Sequence, residues 1–256
     1  ALRQAVLTHI DEVAGALRGK LAQWDVVNEV FDNHDLLDLL GEGEIKTWFA
    51  RAQAVDPGPT LFINDYGILS GGTVGFDGKR KAYFDLIQRQ LAAGAPIQGI
   101  GFQGHFGAGL TGPAEVSRVL DRYAELGLPM MVTEFDIDLP DEELAASYAR
   151  DFLTTVYAHP KMTGLMLWGF WDARHWKQRA LLFHADRSPK PAAKVWQELV
   201  EGAWRTHETG TTDASGHLTL RAYHGEHSVT ATVAGRKVTA TLSVGPGPAE
   251  LTLKSP

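Results

Sequence analysis

The chain has 256 residues, of which 44% are hydrophobic and 21% charged; this is typical of a globular protein with room for one large domain and a small one. A formal net charge of −7 argues against nucleic acid or an anionic membrane as the main partner. The absence of cysteine excludes disulfides, zinc–thiolate sites and a cysteine nucleophile. No apolar run approaches the ~18 residues that a membrane span needs.

Helical and strand-like segments alternate along the first 200 residues. Apolar residues at helical spacing predict a first helix over residues 2–17. Later helices are predicted near 44–54, 77–93, 112–127, 141–158 and 189–201, and strands at 22–28, 60–64, 96–104, 129–135 and 162–170. A glycine-rich loop is predicted at 67–75. Because the strands are mostly apolar on both faces, the pattern predicts five β/α units of a parallel sheet covered by helices.

After residue 204 the pattern changes to short alternations of apolar and polar residues broken by glycine turns. This predicts a small all-β appendage at 205–256, β-sandwich-like, with four short antiparallel strands. Three of its histidines, His217, His224 and His227, stand at positions of mixed facing, which favours solvent exposure over a metal site. Tyr223 is its only large aromatic residue, so a structural or spacer role is favoured over sugar binding.

Polar residues follow the carboxyl end of every predicted strand of the large domain, where a β/α barrel carries its site. They are Asn28-Glu29, Asn64-Asp65-Tyr66, Gln103-Gly104-His105, Glu134 with Asp136, and Trp168 with Trp171, Asp172 and Trp176. One such Asp or Asn is more often a helix cap. Two glutamates among Gln, His and several Trp residues instead indicate glycoside hydrolysis, in which one carboxyl donates a proton and the other attacks the anomeric carbon.

Six segments, in order, resemble the signature blocks of glycoside hydrolase family 10, the endo-β-1,4-xylanases. They are WDVVNE (24–29), NDY (64–66), GIGFQGH (99–105), VTEFDI (132–137), LWGFWDARHW (167–176) and LLFHADRSPKPA (181–192). The resemblance covers residues 1–200 and implies a retaining enzyme that acts on xylan or xylo-oligosaccharides without a cofactor or a metal. Another β-1,4-glycanase of the same fold and a non-catalytic carbohydrate-binding fragment remain as alternatives.

The resemblance also implies the catalytic roles. Glu29 corresponds to the acid/base and Glu134 to the nucleophile. Asn28 would bind the 2-hydroxyl of the sugar at the cleavage point. His105 would hydrogen-bond the nucleophile, and Asp136 would orient the imidazole of His105.

The remaining implied residues bind sugar. Gln103 and Tyr66 would line the subsite of the cleaved sugar, and Trp168 and Trp176 would form stacking walls. The segment DARHW at 172–176 departs from the family, which more usually has DKYSW there.

The family fold is an eight-stranded barrel, and residues 1–204 resemble its last five β/α units. We therefore expect an α/β fold of the TIM (β/α)8 type that lacks its first three units in this chain. A fragment of a longer protein is the favoured interpretation; a second chain or self-assembly that completes the barrel is the alternative. The chain begins with Ala1 and shows no signal peptide, which indicates a processed form or an excerpt. We nevertheless expect a secreted protein.

Overall fold

A computed structural model of the protein describes residues 1–71 and 77–254, so the predicted glycine-rich loop at 67–75 lies partly outside the described residues. A parallel sheet contains β1 (Gln23–Asn28), β2 (Thr60–Asp65), β3 (Gly99–Phe102), β4 (His105–Phe106), β5 (Met130–Ile137) and β6 (Met162–Leu167). The strand order is β1-β2-β3-β5, with β4 and β6 also paired to β5. Because β3 and β4 both pair with β5 and only two residues separate them, they form one interrupted strand. The five predicted β/α units are confirmed.

The helices lie close to their predicted positions. They are α1 (Leu2–Ala16), α2 (Asp35–Leu40), α3 (Glu44–Val55), α4 (Asp77–Ala92), α5 (Pro113–Ala124), α6 (Glu142–Ala158) and α7 (Pro191–Trp196), which is followed by a π-helical segment, Gln197–Ala203. Helix α5 begins with a proline, whose missing N–H costs nothing there. Asp141 caps α6 by accepting from the backbone N–H of Leu144 at 3.0 Å. The short α2 was not predicted.

The core lies beneath the middle of the sheet. Strands β2, β3 and β5 are buried along nearly all of their length, whereas β1 and β6 are largely half-buried or exposed. Helix α1 buries Ala14, while Leu2 and Val13 are more than one third exposed. The described residues thus form an arc of a β/α barrel with a well-packed centre and two open edges. No helix among them is long and apolar enough to cross a membrane.

The chain divides into two compact units, Ala1–Lys194 and the residues from Val195 onward. The predicted domain boundary at 204/205 stays a prediction. In the second unit β7 (Gly225–Val233) and β8 (Arg236–Val244) form an antiparallel hairpin. Its turn residues, Ala234 and Gly235, both have positive φ, as a tight two-residue hairpin turn requires.

The prediction of four strands in this appendage is wrong for the described residues, among which the hairpin alone is formed. The segments 216–223 and 249–253 alternate in polarity but form no strand. The hairpin closes locally through its tight turn, which costs little loop entropy.

Candidate active site

The predicted site residues converge because the strands are parallel and in register. Asn28 of β1 lies beside Asn64 of β2, and His105 of β4 lies beside Asp136 of β5. Glu134 and Asp136 are two residues apart on β5, so their side chains project to the same side of the strand. The carboxyl ends of neighbouring strands therefore bring both glutamates to one edge of the sheet.

Glu29 begins the loop after β1. Its φ is 57°, in the left-handed region that non-glycine residues seldom occupy. Its backbone N–H donates to the carbonyl of Asn64 at 2.9 Å. Its carboxylate accepts from Gln103 Nε2 at 3.0 Å and from Asn33 Nδ2 at 2.8 Å. Within the described residues, both of these hydrogen-bond donors to the carboxylate are neutral amides.

Two amide side chains connect this glutamate to the second one. Gln103 Nε2 donates to Glu29 and also to Asn28 Oδ1, at 3.2 Å. Asn64 Nδ2 donates to the same Asn28 oxygen at 3.0 Å and to Glu134 Oε1 at 3.1 Å. Asn28 is thus held by two donors, and the two carboxylates belong to one hydrogen-bonded network.

Glu134 is 9% exposed and receives a different kind of donor. Its Oε2 lies 3.2 Å from His105 Nε2, and His105 Nδ1 lies 2.9 Å from Asp136 Oδ2. Asp136 is fully buried and also accepts from Trp176 Nε1 at 2.7 Å. Because both ring nitrogens of His105 face carboxylate oxygens, the imidazole donates on both sides, which requires the charged form.

The pKa of His105 reflects this position. Burial alone would lower it, but the hydrogen bonds to Asp136 and Glu134 and their charges outweigh burial and raise the pKa to about 9. The Glu134 carboxylate therefore has a cationic donor at neutral pH, whereas the two donors to Glu29 named above are neutral amides.

Gly101 makes room for this network. A Cβ atom at Gly101 would lie 2.4 Å from Asn64 Oδ1 and 3.0 Å from Thr133 Cγ2. The Asn64 oxygen is already held by the Thr133 hydroxyl, which donates to it at 2.8 Å. A side chain at Gly101 would therefore displace the amide that connects Asn28 to Glu134.

Tyr66 belongs to a neighbouring cluster around Lys79. The ammonium group of Lys79 lies 2.7 Å from Asp32, 2.9 Å from Asp65 and 3.3 Å from the centre of the Tyr66 ring. A hydrogen bond to Asp32 is the main cause that raises the pKa of Tyr66 to about 12. Burial raises the pKa of Asp65, although Lys79 and two backbone N–H groups lower it. The cluster ties the loop after β1 to the end of β2.

The two tryptophans predicted as stacking walls present open surface. Trp168 is 48% exposed and Trp176 is 60% exposed. Both rings pack edge-on to His105, with centroids at 6.5 Å and 5.0 Å respectively. Exposed indole beside a polar network is the arrangement that binds the apolar face of a sugar ring.

The structure brings most of the predicted site residues into one network; their roles stay predictions. Hydrogen bonds join Asn28, Glu29 and Gln103 in one group and His105, Glu134, Asp136 and Trp176 in another, and Asn64 connects the two groups through Asn28 and Glu134. Trp168 borders this network and Tyr66 lies in the adjoining cluster. Sequence reasoning missed Asn33, Lys79 and Thr133 as members of the site, and it placed Asn64 only as a strand end. The NDY segment was the available signal for Asn64.

In the described residues, no group of three His, Asp or Glu side chains is arranged to hold a metal ion. His227 of the appendage instead places Nε2 2.9 Å from the carbonyl oxygen of Tyr223.

The chain is similar to proteins of known family and structure. Residues 1–199 match the model of glycosyl hydrolase family 10. Anti-sigma-I factor RsgI6 of Acetivibrio thermocellus is 29% identical over the whole chain, and endo-1,4-beta-xylanase 2 of Arabidopsis thaliana is 32% identical over 89% of it. The alignments cover 33% and 21% of those two proteins.

Among solved structures, xylanase 10B of Thermotoga petrophila, in complex with xylobiose, superimposes with a TM-score of 0.68 and 28% identity. The match covers 76% of this chain and 64% of that one, so the chain spans about two thirds of a family barrel. The sheet is accordingly part of a TIM barrel, and the chain belongs to glycosyl hydrolase family 10.

Proposed function

We propose that the protein is a retaining endo-β-1,4-xylanase with Glu134 as its nucleophile and Glu29 as its acid/base. One observation carries the proposal: a charged histidine hydrogen-bonds Glu134, whereas neutral amides hydrogen-bond Glu29. The cation favours an ionised carboxylate at Glu134. A cationic donor would disfavour the protonated form of Glu29 more strongly than neutral amide donors do.

In the first step the Glu134 carboxylate attacks the anomeric carbon, the glycosidic bond breaks, and Glu29 gives its proton to the leaving oxygen. In the second step Glu29 takes a proton from water, and that water attacks the anomeric carbon and releases Glu134. Asn28 supports both steps. Two amides hold its Oδ1, which leaves its Nδ2 to donate to the 2-hydroxyl of the sugar.

Xylan or a xylo-oligosaccharide is the proposed substrate. A family-10 relative is named an endo-1,4-xylanase, and a similar solved structure holds xylobiose. Stacking on Trp168 and Trp176 is compatible with any β-1,4-linked pyranose chain, so the choice of xylose over glucose rests on these relatives. We also propose that the protein is secreted, because a polysaccharide such as xylan is too large to enter a cell and has to be hydrolysed outside it.

We propose further that additional strands complete the barrel between the open edges of β1 and β6. They would come from a preceding segment of the same protein or from a second chain. About a third of the solved xylanase 10B chain lies outside its match with this chain.

The test is release of reducing ends from soluble xylan by the chain, and by the chain extended with the first three β/α units of a solved family-10 xylanase. Glu134→Gln is the control for contaminating activity. Hydrolysis that disappears in the variant supports the proposal. If both forms of the protein are folded but inactive, the proposed function is contradicted.

A non-catalytic carbohydrate-binding role is the second candidate. A protein named as an anti-sigma factor rather than an enzyme is similar along the whole chain. Calorimetric binding of xylohexaose without any hydrolysis of it would favour this alternative.

A further inference from the structure

His175 lies beside the catalytic network but has no part in the reaction described above. It follows the short 3₁₀ turn Asp172–Arg174, and its side chain is fully buried. The ring packs against Gly169, whose φ is 87°; a Cβ atom there would lie 3.0 Å from His175 Cδ2. The loop after β6 is therefore shaped to place an imidazole at this point.

The contacts of the ring indicate which nitrogen carries hydrogen. His175 Nδ1 lies 3.2 Å from the backbone nitrogen of Lys177, which could donate to it, and 3.3 Å from the carbonyl oxygen of the same residue, which could accept from it. The Asp136 carboxylate that Nε2 faces can only accept, which favours the tautomer with the proton on Nε2 and with Nδ1 accepting from Lys177. Nε2 faces Asp136 Oδ2 at 3.4 Å. This distance is long for a hydrogen bond, and Nε2 is a buried polar atom without another partner in the described residues.

The surroundings of Asp136 make a hydrogen bond from His175 important for this carboxylate. It is fully buried, and its Oδ1 has no hydrogen-bond partner among the described residues. The donors of Asp136 therefore converge on Oδ2, where His105 and Trp176 already donate. A buried carboxylate with one bare oxygen depends strongly on each donor that reaches the other oxygen.

We propose that His175 is a positioning residue that donates its Nε2–H to Asp136 and so moderates how tightly Asp136 holds the proton of His105. Each donor on Oδ2 withdraws charge from the carboxylate and makes it less basic. Without His175, Asp136 would hold the His105 proton more strongly and would also accept a proton itself at a higher pH. The consequence for hydrolysis rests on the function proposed above.

Few charged groups face the ring. Asp136 contributes the carboxylate from β5, and His105 reaches the same oxygen from β4. Lys177 follows on the same loop, with its Nζ 4.5 Å from the centre of the Trp176 ring. Gly169, on the other side, contributes no charge. Asp136 is therefore the group through which His175 acts.

Two substitutions of matched length separate donation from packing. His175→Met removes the donor and His175→Gln keeps one, while both side chains fill a similar volume. In the full chain, NMR titration of the His105 ring should show its pKa rising by about 0.5 to 1 in His175→Met and returning toward the original value of about 9 in His175→Gln. Arg174→Gln, an exposed neighbour on the same loop, should leave it unchanged. An equal change in the Met and Gln variants, or no change in His175→Met, would overturn the proposal.

The unmodified protein gives a second test that does not depend on whether a variant folds. The nitrogen chemical shifts of His175 should show a protonated Nε2 throughout the titration; a neutral ring protonated on Nδ1 would contradict the proposal. Where the chain hydrolyses xylan, the acidic limb of kcat/KM should move to higher pH in His175→Met and return in His175→Gln. Because the NMR readouts need no turnover, failure of hydrolysis and failure of this contact are separate results.

Discussion

The two glutamates occupy regions of very different construction. Glu134 stands on a central strand, 9% exposed, between an amide and a charged histidine. Glu29 stands at the end of an edge strand, on a strained backbone, with neutral amide donors. The difference teaches that one sheet can surround two identical side chains with hydrogen-bond donors of different charge.

The largest expected effect separates the two roles. Glu134→Gln and Glu29→Gln should each lower kcat on xylan by roughly 100-fold or more, measured in whichever form of the protein hydrolyses xylan. An aryl β-xylobioside with a nitrophenolate leaving group needs no proton from Glu29. Glu29→Gln should therefore still release a burst of nitrophenolate from it, whereas Glu134→Gln should not. A burst in Glu134→Gln alone would reverse the assignment.

The second prediction concerns Lys79, which connects the loop after the edge strand β1 to the end of the buried strand β2. Lys79→Met should lower the free energy of unfolding by about 3–5 kcal/mol, because it leaves the buried Asp65 without its cation. Lys81→Met, on the exposed side of the same helix, should change it by less than about 0.5 kcal/mol. Urea denaturation measures both. Equal effects would mean that the Lys79 cluster does not fix the two loops.

The third prediction uses pH. The pKa of His105 is raised from 6.5 to about 9, so its contribution to stability is fully present below pH 6.5 and is lost as pH rises through 9. The free energy of unfolding should fall by up to about 3 kcal/mol across this window. His105→Gln should flatten the profile there. An unchanged slope in the variant would show that other groups cause it.

The smallest expected effect concerns the side chain of Asn64, which connects Asn28 to Glu134. Gly101→Ala should cost about 1–3 kcal/mol of stability, because its Cβ would press on Asn64. Gly43→Ala is the matched control, since its φ is −62° and nothing lies within 4 Å of an added Cβ. Thermal unfolding of the two variants gives the comparison. A neutral Gly101→Ala would show that Asn64 can move without loss.

The sequence predicted the barrel units because their strands are long apolar runs and their helices have clear periodicity. It predicted the proximity of Glu29 and Glu134 because parallel strands end at one edge. It did not reveal Lys79 or Asn33, whose importance depends on contacts that no local pattern encodes. It overestimated the strands of the appendage because alternation indicates a strand but not its partner.

Trp176 gives the site one further property. Its indole N–H donates to Asp136 while 60% of the residue's surface is exposed. If a sugar stacks on that ring as proposed, its binding and the protonation of His105 are coupled equilibria that share one carboxylate. Such coupling is reciprocal: if sugar tightens the Trp176 bond, protonation of His105 must change sugar affinity by the same factor. The affinity of the protein for oligosaccharide should thus vary with pH near 9 even when no bond is cleaved.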